Sequence, residues 1–143
     1  RDIHSWLEFR RVLFRSIKLY FKDRKEIAAI YLFGSYASGK ERHMSDVDIG
    51  VLLNHKYSKS SEILKEEYMI QLGRLLRKDI HPVIMNIVGE VLLKQIFGKG
   101  KLVLVKNIKF HKEFKMVALS KIVDFSFYLE KMYSSLTKRI LEA

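Results

Sequence analysis

Tyr31-Leu-Phe-Gly-Ser-Tyr-Ala-Ser-Gly-Lys-Glu-Arg-His-Met-Ser-Asp-Val-Asp-Ile-Gly50 is the stretch that decides how this chain reads. It opens inside an apolar run, Glu26–Phe33, which reads as a buried strand ending at Gly34. Gly34-Ser35 follows and predicts the start of a short helix, where free backbone N–H groups and the Ser35 hydroxyl form a phosphate cradle. Ten residues separate Ser35 from Asp46. Across Ser45–Leu53, Asp46 and Asp48 alternate with Val47, Ile49 and Val51, so both carboxylates fall on one face of a second strand. Paired hard oxygen donors of this kind suit Mg²⁺, which fills the rest of its shell with water and substrate phosphate. Alone, a Gly-Ser pair is a turn and an Asp-x-Asp strand is a solvated face. Together at this spacing they point to metal-assisted nucleotidyl transfer.

Outward from this stretch the periodicity changes several times. Ile3, Trp6, Leu7, Phe9, Val12, Leu13, Ile17, Leu19 and Tyr20 predict an amphipathic helix over 3–22. Ile63, Leu64, Tyr68, Leu72 and Leu75 predict another over 60–77, with Ser58, Ser60 or Ser61 as its N-cap. Asp79–Asn86 is a third strand whose Pro82 argues for a sheet edge or a bulge. Glu90–Phe97 is a short helix stopped by Gly98-Lys-Gly100, and Lys101–Val105 is a fourth strand. Residues 110–142 carry Phe114, Val117, Ile122, Phe125, Leu129, Met132, Leu136 and Ile140 near helical spacing and predict one long helix. The order implies a mixed α/β (α+β) domain with a small sheet packed by helices. We expect one domain over 1–143, divided into a leading helix (1–24), a core (26–105) and the terminal helix.

The 143 residues, 48% hydrophobic and 30% charged, are enough for one ordinary core. No apolar stretch is long enough to span a membrane, and no signal-peptide pattern opens the chain. Cysteine is absent, which excludes disulfides, thiolate catalysis and Cys-ligated zinc. A cytoplasmic location is the expectation. The 27 basic against 16 acidic residues give +11, a field that favours anionic partners. That charge is diffuse, with no dedicated basic arm, and no helix-turn-helix, RNP or zinc-finger pattern supports direct reading of nucleic acid.

On the residues Gly34-Ser35, the ten-residue gap and Asp46-Val-Asp48, the chain resembles the minimal nucleotidyltransferases of the DNA-polymerase-β superfamily, whose signature is GSx10DxD. More narrowly it is similar to the MntA-type antitoxins that pair with HEPN-domain toxins. The resemblance runs from about Ile27 to the C-terminus. Residues 1–16, ending Arg11-Val-Leu-Phe-Arg-Ser16, carry no family signal and look like translated sequencing-adapter read-through, so no function rests on them. The resemblance implies a polymerase-β-like core in which Gly34 and Ser35 hold the triphosphate of ATP and Asp46 and Asp48 bind Mg²⁺. Lys40 and Arg42, in the connecting loop, are candidates for phosphate contacts. An acceptor hydroxyl would attack the α-phosphate in line and pyrophosphate would leave.

The family commonly supplies a further carboxylate from the third strand. An ungapped alignment puts His81 there, with Asp79 two residues earlier on the same face. Three readings stay open: Asp79 takes the role, His81 substitutes as base or ligand, or the base is missing and turnover is weak. Conservative chemistry favours Asp79. His4, His43, His55 and His111 show no zinc-ligand spacing, although His43 sits in the active-site loop. Phe114, Phe125, Phe127, Tyr128 and Tyr133 exceed what one face of the last helix needs; most of them are expected in the core, with a residual stripe as the alternative, for contact with another copy or another protein.

The function implied by the resemblance is AMP transfer from ATP to a hydroxyl, most naturally a tyrosine of a cognate HEPN toxin, by a protein adenylyltransferase acting as an antitoxin. The alternatives are an antitoxin of weak activity that works by binding, and a small-molecule transferase of the aminoglycoside type. The chain has little beyond the minimal core from which to build a small-molecule pocket.

Overall fold

Seven consecutive buried residues, Ile27–Phe33, form the strand around which everything else is arranged (β1). A central strand covered on both faces has no need to alternate, and this one does not. The computed structural model of the chain describes residues 3–39 and 46–142. Along it run α1 (Ile3–Lys22), β1, a one-turn α2 (Ser35–Ser38), β2 (Val47–Leu53), a 3₁₀ segment (His55–Ser60) and α3 (Ser61–Leu76). Then follow β3 (Ile80–Ile84), α4 (Glu90–Lys99), β4 (Lys101–Val105) and α5 (Ile108–Glu142). The sheet order is β3-β2-β1-β4, with β1 antiparallel to β2 and β4, and β2 parallel to β3.

The sheet separates two cores. On one face Ile30, Leu32, Val47, Ile49, Val51, Leu53, Ile80 and Ile84 pack with Leu13, Ile17 and Phe21 of α1 and Tyr68 and Leu72 of α3. On the other, Tyr31, Phe33, Leu52, Val83 and Met85 meet Leu93 and Ile96 of α4 and Ala118 and Ile122 of α5. Gly50 lies in the same row as Asp48 and Leu52, and a Cβ there would sit 3.3 Å from Ile96, so its bareness lets α4 lie close on the sheet. Beyond Gly50 that row reaches Asp48, half-buried at the sheet's end.

Several expectations are adjusted. Leu7, Val12 and Leu19 face outward on α1, and Phe21 takes the core position. None of the serines caps α3 through its side chain. Ser60 occupies the N-cap position without such a bond, and Ser61, already inside the helix, donates its hydroxyl back to the Ser58 carbonyl. The last helix begins at Ile108, two residues earlier than its apolar pattern indicates, because the Asn107 side-chain oxygen accepts the Phe110 N–H (3.1 Å). Asn107 also donates to Asn54 (2.8 Å), and Asn86 holds both backbone groups of Leu53 (2.8 and 2.9 Å), so side-chain amides close the far end of the sheet. Pro82 lies on β3, the outer strand, as its chemistry requires.

Two polar pairs are buried in these layers. The Tyr31 hydroxyl lies 2.6 Å from His111 Nε2. Burial, then the Lys115 charge, hold His111 below its ordinary value, so the neutral ring accepts from a phenol that burial pushes up to about 12. On the opposite side Glu26 accepts from Tyr68 and Arg24 (both 2.8 Å), and Arg24 also pairs with Glu67 (2.9 Å) over the Tyr20 and Tyr68 rings. Burial alone would raise the Glu26 carboxyl; hydrogen bonds from Arg24, the backbone and Tyr68 outweigh it and hold Glu26 below its usual 4.5. The unfolded chain therefore binds this proton more readily. The stabilisation is complete above the unfolded value and is lost as pH falls through the lower folded value. Glu26→Gln should lower stability at pH 7 by about 1–3 kcal/mol and flatten the acid limb of a urea-midpoint-versus-pH curve. An unchanged acid limb would assign acid sensitivity elsewhere.

Candidate active site

The site is assembled where β1 ends, β2 begins and β3 runs beside it. Gly34 follows β1 with φ 73° and ψ −150°, a conformation that L side chains rarely adopt. Its Cα faces Asp48 so closely that a Cβ would fall 2.2 Å from Asp48 Oδ2. The glycine is thus needed twice, for the turn and for the carboxylate packed against it. Ser35 opens α2, a single turn in which the Ala37 N–H reaches back to the Gly34 carbonyl (3.2 Å). Behind it the fully buried Tyr36 ring packs near Phe9, and Arg10 donates to the Tyr36 carbonyl. Tyr36 went unnoticed in the sequence as the anchor of this turn; an aromatic directly after Gly-Ser was the signal.

Asp46 lies just before β2, exposed, and Asp48 is its second residue, half-buried and opposite Phe33. The alternation through Ser45–Leu53 implies one face for both, but β2 starts at Val47, so the strand pleat fixes only Asp48. The parallel register pairs Asp48 with His81, and His81 Nδ1 lies 3.0 Å from Asp48 Oδ1. Their side chains are 26% and 61% exposed, so the pair opens to solvent and to a ligand. Asp79 is exposed one residue before β3, and its backbone carbonyl accepts the Val47 N–H (2.9 Å). Of the two candidates for the third position, the fold therefore brings His81 onto Asp48. Lys40 and Arg42, and His43 with them, lie outside the described residues.

This donor set fits a divalent cation with an open shell. Asp46 and Asp48 offer hard oxygens on a solvent-accessible face, and Gly34 leaves uncovered the space beside Asp48 Oδ2 that a side chain would fill. Among the described residues no three His, Asp or Glu side chains form a closed ligand cluster, so substrate oxygens and water would complete the shell.

The sequence profile of the family described as Polymerase beta, Nucleotidyltransferase matches residues 15–109. The chain belongs to the polymerase beta nucleotidyltransferase family. Among the relatives of this chain is the protein adenylyltransferase MntA of Shewanella oneidensis, 33% identical over 85 residues, which is 59% of each chain. The MJ1379 protein of Methanocaldococcus jannaschii is 33% identical over 94 residues, covering 60% of this chain and 93% of that one. Solved structures share the fold. A toxin–antitoxin crystal structure with AMP-PNP superposes with a TM-score of 0.69 at 22% identity, covering 87% of this chain and 98% of the other. The complex of a tri-AMPylated Shewanella oneidensis HEPN toxin with its MNT antitoxin gives 0.65 at 20% identity, covering 90% and 98%.

Proposed function

We propose that this nucleotidyltransferase moves AMP from ATP onto a protein hydroxyl, a tyrosine of a cognate HEPN-domain toxin, and so acts as an antitoxin. The observation that carries the reading is Asp48 packed against the bare Gly34 turn, with Asp46 two residues before it and Ser35 opening the next helix. In this reading Gly34 and Ser35 receive the triphosphate, and Asp46 and Asp48 hold a divalent cation, Mg²⁺ in the ordinary case. The bound ion would neutralise charge on the phosphates and on the leaving pyrophosphate. The names of the relative and the superposed complexes support a protein acceptor and a toxin partner.

The surface supports a macromolecular acceptor as well. Past Ile122 no side chain of α5 is buried among the described residues, and Val123, Phe127, Tyr128, Tyr133 and Ile140 are all more than half exposed. Such a face suits docking of another protein. No helix among the described residues is long and apolar enough to cross a membrane. A second reading, an antitoxin that acts by binding alone, is favoured by the His81–Asp48 bond, which occupies one carboxylate oxygen.

The test is to incubate the protein with ATP labelled at the α-phosphate, Mg²⁺ and the product of its genomic neighbour. Label on the neighbour's band, absent with Asp46→Asn, is the expected result. Label on a small molecule would replace the protein-acceptor reading with the antibiotic-type one. Bound ATP without transfer would favour the binding-only antitoxin.

A further inference from the structure

The metal-ion preference of the site follows from the residue on β3 that meets Asp48. We propose that His81 is a direct nitrogen ligand of the divalent cation, beside Asp48, and that it ranks Mn²⁺ above Mg²⁺ at this site. The inference rests on the nucleotidyltransferase reading and adds to it the identity of a ligand and of the preferred ion.

Three observations combine. The parallel register of β2 and β3 places His81 directly across from Asp48, so the pairing is fixed by backbone and does not depend on a mobile loop. Two and four residues on, Val83 and Met85 are packed in the core under α4 and α5, which anchors the strand just beyond His81. Second, Nδ1 and Oδ1 are 3.0 Å apart. Two neighbouring donors of an octahedral ion, each about 2.1 Å from the metal, are also separated by about 3.0 Å. The pair therefore already has the spacing of adjacent ligands; a turn of the exposed ring aims Nδ1 at the ion, with the imidazole proton carried on Nε2. Third, the His81 side chain is 61% exposed and Asp46, two residues before Asp48, is exposed as well, so the site stays open for phosphate oxygens and water.

The chemistry then sets the ranking. Mg²⁺ is hard, loses water reluctantly and is served by carboxylate, phosphate and water oxygens. An imidazole nitrogen binds first-row transition ions much better, while carboxylates serve Mn²⁺ as readily as Mg²⁺. Replacing one carboxylate by His81 keeps Mg²⁺ competent through Asp46 and Asp48 but shifts the balance toward Mn²⁺.

Pulsed electron paramagnetic resonance on the whole protein with Mn²⁺ and pyrophosphate tests this directly, because pyrophosphate carries no nitrogen and any nitrogen coupling must come from protein. The expected result is a directly bound ¹⁴N signal in the wild type that is lost in His81→Asp, with Mn²⁺ still bound. Titrations should show the Mn²⁺-over-Mg²⁺ affinity ratio falling about tenfold in His81→Asp. Mn²⁺ binding that is lost in Asp48→Asn but shows no nitrogen coupling in the wild type would overturn the His81 assignment and leave the carboxylate site standing. Mn²⁺ binding indifferent to Asp48→Asn, or no binding at all, would remove the metal site and the inference with it.

Discussion

Asp48→Asn should reduce AMP transfer about a thousandfold while leaving the fold intact. Asp48 is the carboxylate the fold commits most heavily: it is half-buried, it has the Gly34 backbone against one oxygen and His81 against the other. Asparagine keeps the shape and hydrogen-bonding capacity of the side chain but removes the charge that draws a divalent ion. The loss corresponds to about 4 kcal/mol of transition-state stabilisation, within the range a metal ion supplies by neutralising phosphoryl charge. Stability should change by less than about 1 kcal/mol, because the His81–Asp48 pair is solvent-exposed and such pairs contribute little. Initial rates with labelled ATP and a thermal melt, run together, separate the two effects. Retained activity would take Asp48 out of the metal site.

Gly34→Ala should damage both stability and activity, for separable reasons. The backbone at φ 73° and ψ −150° costs an alanine about 1–3 kcal/mol, enough to lower the melting temperature by several degrees in a domain of this size. In addition, the new methyl would stand 2.2 Å from Asp48 Oδ2, so the carboxylate must move. A displacement of about 1 Å at a reacting centre costs about a hundredfold in rate. A double-mutant cycle tells the two apart. In an Asp48→Ala background the clash shrinks to the Asp48 Cβ at 3.2 Å, and the stability cost of Gly34→Ala should then fall to little more than the backbone strain. Equal costs in both backgrounds would mean that contact with Asp48 is not what the glycine serves.

The features that could be read from the sequence are those encoded locally. The apolar run of β1 and the alternation from Val47 through Asp48 are each written in a few neighbouring residues, and both reappear in the fold. Pro82 was informative for the same reason, since a missing donor restricts where a strand can sit. What escaped depends on partners distant in the chain. His81 meets Asp48 across 33 residues, and only the β2–β3 register determines that His81, and not Asp79, faces it. Tyr31 finds His111 across 80 residues, and Glu26 finds Tyr68 across 42. The start of α5 was misplaced because apolar spacing marks the packed part of a helix, whereas Asn107 marks its beginning. Leu7, Val12 and Leu19 show the converse, apolar residues at helical spacing that nothing covers.

The position of Pro82 also bears on whether another strand can extend the sheet at β3. Val47 donates to the Asp79 carbonyl and Met85 donates to the Val51 carbonyl, so odd-numbered residues of the β3 segment face β2 and Ile80, Pro82 and Ile84 turn their backbone groups outward. An open row of this kind invites a strand from another molecule to extend the sheet, which is the first step of edge-to-edge aggregation. Here the middle position of the row has no N–H to offer, and the pyrrolidine ring fills the place where an incoming carbonyl would dock. The residue that looks like a flaw in β3 guards the side of the strand that, among the described residues, has no neighbour in the sheet.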